Sequence, residues 1–316
     1  MDIQLSFRER EAGYFIHDLD EFRSEIIEDL NEVCGPGFKV EARDVTKNNG
    51  VTLHGITLAE SGSNIFPNIY LESFYEDYKR GSINVKEVSN EILKAYSKEK
   101  GARSADMCFL TDFEKVKGKL IFRLINAEKN DDLLRDIPHR RFLDLAVTYA
   151  VHIDDIFPTS GNVMVGKDLM EKWGTDEEEL YRLALNNTPR IKQPVIKELS
   201  EMLGDLVSDS CGMDSGDKIP AGGIRMFVLT NIDGYYGDSI ILYPGLLKEV
   251  RKTVDKDFFL LPSSVHEFIM VPDTGDIKED ELAELVRSVN QSSVGAEDFL
   301  SDNVYLFKDD TVEICR

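Results

Sequence analysis

The sequence predicts an α+β fold with mixed or antiparallel sheets and helices packed on one face of each sheet. Three observations lead to this prediction. Segments with apolar residues at helical spacing alternate with pairs of strand-like segments, the regular strand–helix–strand repeats of a parallel sheet are missing, and 316 residues are enough for two domains of ordinary size. We therefore expect two α+β halves, an N-terminal domain over residues 1–138 and a C-terminal domain over residues 139–316.

The first half opens with a helix and a hairpin. Apolar residues recur at helical spacing from Asp18 to Val33. Two alternating segments, Phe38 to Val45 and Val51 to Glu60, flank Asn49-Gly50, a dipeptide that favours the turn of a hairpin. Gly55 interrupts the alternation of the second segment, which predicts a β-bulge at this position.

A strand that is apolar on both sides, Phe142 to Ile153, begins the second half, and we place it centrally in a sheet. Asp144 interrupts this strand, where an unpaired carboxylate is costly. We expect either an acid that reaches solvent at the strand end or an ion pair with a nearby arginine. The arginines within reach are Arg123, Arg140 and Arg141. A nuclease site that combines Asp144 with Glu128 and Lys129 is a weaker alternative, because these residues are out of the usual chain order for that chemistry.

Proline and glycine divide the middle of the second half. Pro189 predicts the start of a new helix, because proline is favoured in the first helical turn. Val195 and Leu199 belong to the apolar stripe of that helix. The stretch Ser208 to Gly223 is rich in Gly, Ser and Asp, which predicts a surface loop or a lid. Its glycines do not have the spacing of a nucleotide-binding loop.

The stretch Asp257 to Asp273 contains two apolar runs joined by a Pro-Ser-Ser corner, which predicts a hairpin of buried strands. Four polar side chains at the corner are candidates for catalysis: Ser263, Ser264, His266 and Glu267. A hydrolase would use one serine as nucleophile and His266 as its base, although the nucleophile-elbow motif G-x-S-x-G is absent from the sequence. The structural alternative is that both hydroxyls satisfy the turn and His266 hydrogen-bonds to a neighbouring strand.

The sequence predicts neither a metal site nor a cofactor. The four cysteines are far apart in the sequence and form no C-x-x-C pair, which is typical of reduced thiols in the cytoplasm. A metal site that uses His266, Glu267 and Asp273 would need ligands from elsewhere, because no H-E-x-x-H motif or paired-histidine spacing is present.

The net charge of −22 limits the kinds of partner that the protein can bind. A negative field of this size repels phosphate backbones and anionic lipid headgroups, so we expect neither direct nucleic-acid binding nor membrane binding. We expect neither a signal peptide nor a membrane span, because the sequence has no apolar run of membrane-spanning length. We therefore expect a cytoplasmic, non-enzymatic protein that binds a protein with a basic surface, for example by mimicking nucleic acid. The alternative is a hydrolase or metal-dependent enzyme with its site near His266.

Several longer phrases are similar to those of known families. They are DVTKNNGVTLHGI, PNIYLESFYEDYKRG, INAEKNDDLLRDIPHRRFLDLAVTY, and DFFLLPSSVHEFIMVPD followed by LSDNVYLF. Over nearly the whole chain they resemble a family of unknown function that is common in Gram-positive anaerobes. The chain from FLDLAVTY onward also resembles a second uncharacterised bacterial family, which implies that residues from about 140 onward form one unit. Neither resemblance implies an activity.

Overall fold

The computed structural model describes residues 17–60, 68–98, 107–153, 161–201 and 225–315. Over these residues the fold is α+β, as predicted, and the strand pairs are antiparallel. Unit 1 comprises Met1–Lys47 and Val51–Asp106, and unit 2 comprises Asn48–Gly50 and Met107–Arg316. The sequence-based boundary between residues 138 and 139 falls inside a sheet of unit 2, because strands on its two sides are hydrogen-bonded to each other.

Unit 1 combines helices with one small sheet, sheet A. Its helices are α1 (Leu19–Cys34), α2 (Glu72–Lys79) and α3 (Val85–Lys98). Sheet A has the order β1-β2-β3, with β1 at Phe38–Thr46, β2 at Thr52–Glu60 and β3 at Asn68–Tyr70. A cluster of buried apolar side chains joins the helices to one face of the sheet, and it includes Phe22, Ile26, Val40, Ile56 and Ile92.

The hairpin of sheet A confirms the turn prediction and corrects the bulge prediction. Asn49 and Gly50 have positive φ angles of 61° and 70°, as the turn requires. The predicted bulge at Gly55 is wrong, since the pairing of β1 with β2 is continuous. A side chain at Gly55 would overlap the side-chain amide of Asn68 on the neighbouring strand, so the glycine leaves room for this amide.

Unit 2 contains two sheets. Sheet B consists of β4 (Leu120–Asn126), β5 (His139–Phe142), β6 (Leu145–His152) and β7 (Asn162–Met164), with the order β4-β6-β5 and with β7 paired to β6. Sheet C has the order β13-β12-β10-β11-β9-β8. Its strands are β8 (Pro194–Glu198), β9 (Phe227–Asn231), β10 (Phe258–Ser264), β11 (Glu267–Pro272), β12 (Tyr305–Lys308) and β13 (Thr311–Ile314).

The described helices of unit 2 are α4 (Phe113–Val116), α5 (Asp131–Asp136), α6 (Lys167–Trp173), α7 (Glu177–Ile191), α8 (Leu246–Val254) and α9 (Glu279–Ser293). Helices lie on both faces of sheet C. Alternate side chains of β10 point to opposite faces: Phe258 and Leu260 pack with α7, α8 and sheet B, whereas Phe259 and Leu261 pack with α9. The expected arrangement with helices on one face therefore does not extend to sheet C.

The end of α7 differs from the prediction. The helix continues through Pro189 to Ile191, and Pro194–Glu198 is a strand rather than the predicted helix. Apolar residues four positions apart suit either structure, and pairing with β9 decides in favour of the strand. Ser208 to Gly223 lies outside the described residues. None of the described helices has the length and apolar character that crossing a bilayer requires.

Helix α7 also covers the outer edge of sheet B. The hydroxyl of Thr188 accepts a hydrogen bond from the backbone N–H of Phe122 on β4 at 3.1 Å. The side-chain amide of Asn187 donates to the carbonyl of Lys117 just before that strand at 2.8 Å. The exposed edge of a sheet readily pairs with other chains, so these two contacts protect β4.

Candidate functional site

The corner between β10 and β11 does not bring its serines to His266 as a nucleophile and base. The hydroxyl of Ser263 donates to Glu267 Oε1 at 3.3 Å. Ser264 Oγ accepts a hydrogen bond from the backbone N–H of His266 at 3.0 Å. Both hydroxyls therefore stabilise the turn, as the structural alternative predicts.

Both ring nitrogens of His266 are engaged. Nδ1 accepts a hydrogen bond from the backbone N–H of Tyr236 at 3.2 Å, so the neutral ring carries its proton on Nε2. Nε2 lies 3.2 Å from Asp298 Oδ1, and the side chain of His266 is 26 % exposed. In this arrangement the imidazole has no free lone pair, and it can act as a base only after releasing the Tyr236 backbone.

Three residues from distant positions contact this ring, and Arg123 contacts one of them, Tyr236. We call the five residues together the His266 cluster: Arg123, Tyr235, Tyr236, His266 and Asp298. The ring of Tyr235 stacks on His266 with centroids 4.9 Å apart, and Tyr236 meets it edge-on at 5.7 Å. The guanidinium of Arg123 lies 3.9 Å from the centre of the Tyr236 ring. Burial, aided by Tyr236, raises the pKa of Tyr235 to about 12, so this phenol stays protonated at neutral pH. The cluster thus presents a cation, an imidazole–carboxylate pair and a phenol at one place.

The loop from β9 to the following 3-10 helix, residues 232–237, positions the two tyrosines. Gly237 donates its N–H to the carbonyl of His266 at 3.0 Å, and the hydroxyl of Thr230 donates to the same carbonyl at 2.8 Å. A Cβ atom at Gly237 would overlap Thr230 and the His266 backbone. Tyr236 adopts a left-handed φ of 51°, which is uncommon for a residue other than glycine. The loop is therefore fixed closely against the β10–β11 corner.

Asp238, which begins the 3-10 helix Asp238–Leu242, is a completely buried acid with 0 % exposure. Neither oxygen of its carboxyl group makes a hydrogen bond of normal geometry. Burial raises its pKa well above the usual value, and the nearby backbone amides of Ser239 and Leu124 and the charge of Arg123 offset this effect only partly. The side chain is therefore best accommodated in its neutral form.

We expect Asp238→Asn to stabilise the protein at pH 7. Because the pKa of Asp238 is higher in the folded state, the folded state binds more protons than the unfolded state above about pH 4, and stability falls as pH rises. The amide removes this penalty, so the free energy of unfolding should increase by at least about 1 kcal/mol at pH 7, and the variant should match the wild type near pH 4. Urea titrations at several pH values measure this difference. Asp132→Asn, at an exposed acid, is the control. A variant less stable than wild type at pH 7 would mean that Asp238 is ionised and stabilised by Arg123.

The structure corrects the predicted partners of Asp144. Its position is a two-residue turn between β5 and β6, where Leu143 has a φ of 55°, and not the interior of a strand. Three neutral donors hold the carboxylate: Ser301 Oγ at 2.6 Å, Asn303 Nδ2 at 3.0 Å and Tyr305 OH at 2.8 Å. The turn directs the side chain to these groups instead of to an arginine. Arg140 instead binds Glu177 and Glu178.

One segment, Val294–Val304, contacts both His266 and Asp144, and we call it the strap. Its Asp298 meets His266, and its Ser301 and Asn303 meet Asp144. The side-chain amide of Asn126 donates to the carbonyl of Leu300 in the strap at 2.9 Å. Burial of Tyr305, which follows the strap, raises the pKa of its phenol, and the charge of Asp144 adds to this effect, so Tyr305 remains a hydrogen-bond donor.

Sequence reasoning missed Asp298, Tyr235, Tyr236 and Asp238. The available signal was the loop Asp233-Gly-Tyr-Tyr-Gly-Asp, in which two aromatics stand between two glycines at the end of a strand. Among the described residues, no three His, Cys, Asp or Glu side chains gather in a geometry that could hold a metal ion. In chemical terms, the His266 cluster is a hydrogen-bonded platform rather than an assembled nucleophile and base.

Comparison with known proteins finds neither a curated protein nor a solved structure that matches the chain. A family model does match residues 19–309, which is nearly the full length. The chain therefore belongs to DUF5688, a family of unknown function.

Proposed function

We propose that this chain is a cytoplasmic, non-enzymatic protein that binds a basic segment of a partner protein. The observation that carries the proposal is the exposed face of α9, which we call the α9 patch and which consists of Asp280, Glu281, Glu284, Leu285 and Val289. Leu285 is 50 % exposed and Val289, one helical turn later, is 39 % exposed. Large apolar side chains one turn apart on an exposed helix face are a common basis for protein recognition.

The negative charge of α9 and of the chain around it favours a partner segment with basic side chains. Three exposed acids lie on the N-terminal half of α9, and its one basic residue is Arg287. From Asp273 onward the chain has twelve acidic and four basic residues. Glu281 already pairs with Lys278 at 2.7 Å, but this exposed pair contributes little and can exchange for a cation of the partner. A helix with leucines on one side and lysines or arginines beside them would complement the patch.

A groove beside the patch has a volume of 850 Å³, and Leu285 lines it together with Phe227, Val254, Ile277 and Leu282. Its lining also includes Arg225, Lys256 and Lys278, so the groove suits the apolar side of such a helix and not its cations. The hydrolase alternative has less support, because the predicted base His266 is bonded through both ring nitrogens and neither serine at the corner faces it.

The test uses a synthetic amphipathic peptide of leucine and lysine, titrated into the full-length protein by calorimetry at low and high salt. We expect Glu281→Lys with Glu284→Lys, and separately Leu285→Ser with Val289→Ser, each to weaken binding about tenfold or more, which corresponds to about 1.4 kcal/mol. High salt should weaken wild-type binding as well, because it screens exposed charges.

The matched control is Glu128→Lys with Asp132→Lys, which makes the same charge change at two exposed residues outside the patch. If the control and the patch variants weaken binding equally, only the net charge matters and the α9 patch is not the binding surface. Equal binding by all variants would contradict the role of acidic residues altogether.

A further inference from the structure

We propose that the outer edge of β1 is a self-recognition surface, on which two copies of the chain pair β1 with β1 in antiparallel orientation. The two three-stranded sheets A would then join into one sheet with the order β3-β2-β1-β1-β2-β3. The proposal is independent of the α9 patch and concerns unit 1 alone.

The first supporting observation is the openness of the edge. β1 has nine residues and pairs with β2 without interruption, so its backbone is regular along its full length. Among the described residues, no strand pairs with its other side. Glu41, Ala42, Arg43 and Asp44 are all exposed. In contrast to β4, which α7 covers, this edge has no backbone partner within the described part of the chain, so its donors and acceptors can pair with another strand.

The second observation is the charge pattern on β1. Antiparallel pairing centred on Ala42 places Glu41 of each copy opposite Arg43 of the other. Lys39 then lies opposite Val45, so this register places no like charges directly opposite each other. Among the described residues Arg43 forms no ion pair, whereas Glu41 is bound to Lys39 at 2.6 Å on the same strand. Opposite charges facing each other across two strands stabilise the pairing.

The two neighbouring registers place like charges opposite each other. The register can change only by two residues at a time. A shift of one residue would place the helix-facing side of one copy, which carries Val40, on the opposite face of the joined sheet from that of the other copy. Centring on Glu41 places two glutamates opposite each other and also places Lys39 opposite Arg43. Centring on Arg43 places two arginines opposite each other. Among these three registers, only the one centred on Ala42 avoids like charges opposite each other, and it also pairs all nine residues. Centring on Val40 would also place Lys39 opposite Glu41, but it would pair only the five residues Phe38–Ala42.

Charged residues on an edge strand can also serve to prevent pairing. A charge-swap experiment on the full-length protein distinguishes the two roles by measuring the molar mass across a range of concentrations with sedimentation and light scattering. We expect the wild type to dimerise, and Glu41→Arg and Arg43→Glu each to weaken dimerisation about tenfold or more, since both cross-strand pairs become repulsive.

Two further samples test whether Glu41 of one copy faces Arg43 of the other, as the proposed register requires. An equimolar mixture of Glu41→Arg and Arg43→Glu should form a heterodimer, because one copy then carries two basic side chains at these positions and the other copy carries two acidic ones, so that both facing pairs are again of opposite charge. The double variant that exchanges both charges should dimerise like the wild type, and circular dichroism checks that every variant is folded. A monomeric wild type at all concentrations, or a dimer that neither single variant affects, would overturn the proposal.

Discussion

Asp233→Asn should destabilise the protein by about 2 kcal/mol, because it leaves a buried lysine without its counter-ion, although the Asp233 side chain itself is 40 % exposed. The ammonium group of Lys192 lies 2.5 Å from the Asp233 carboxylate, and only 6 % of the Lys192 side chain is exposed. The lysine cannot easily turn outward, because it follows α7 directly and its carbonyl accepts a hydrogen bond from the buried phenol of Tyr243 at 2.7 Å. Unfolding by urea at pH 7, followed by circular dichroism, measures the loss.

The double variant Lys192→Met with Asp233→Asn is the matched control. It removes the charge that needs a partner and keeps an apolar stem of similar length, so we expect it to be close to the wild type or more stable. If Asp233→Asn alone is as stable as the wild type, then water or another group solvates Lys192 and the ion pair contributes little.

Asp144→Ala should loosen the strap and destabilise the protein by roughly 3 kcal/mol, since it removes the acceptor for the donors of Ser301, Asn303 and Tyr305. An unsatisfied buried donor costs about 1–3 kcal/mol, and both Ser301 and Tyr305 are buried. Hydrogen exchange of the backbone amides from Leu300 to Tyr305 should become faster, and mass spectrometry of peptides from this region measures it.

Two variants make the Asp144 experiment specific. Glu297→Ala removes an exposed acid of the strap, whose side chain makes no described hydrogen bond, and should leave both stability and exchange unchanged. Asp144→Asn keeps one acceptor oxygen and should lie between Asp144→Ala and the wild type. Unchanged exchange in Asp144→Ala would show that the strap is held by other contacts, such as the one from Asn126 to Leu300.

Local patterns in the sequence were sufficient for much of the fold. The hairpins at Asn49-Gly50 and at the Pro-Ser-Ser corner follow from turn residues between alternating or apolar runs, and both are present. Val195 could not be assigned in the same way, because its spacing from Leu199 fits a helix as well as a strand. The neighbouring strand β9, which pairs with this segment, settled the outcome.

The site depended on contacts between distant residues. His266 meets Asp298 and the loop of Tyr236, and Asp144 meets Tyr305, which is 161 positions away. A single sequence carries no local signal for such pairs. The wrong partner for Asp144 therefore came from a sound rule, that a buried carboxylate needs compensation. The rule left open whether a cation or several neutral donors provide it.

The contact from Asn126 to Leu300 spans 174 positions, and it has a consequence for how unit 2 folds. A growing chain presents β4 long before the strap and β12 are synthesised, so the loop that joins them must close before these contacts can form. Closing a long loop costs conformational entropy before the stabilising contacts between its ends have formed. Contacts between residues that are distant in the sequence therefore tend to slow folding. The contacts of the strap and Tyr305 with β4 and Asp144 can therefore form only after the chain has been synthesised through residue 305.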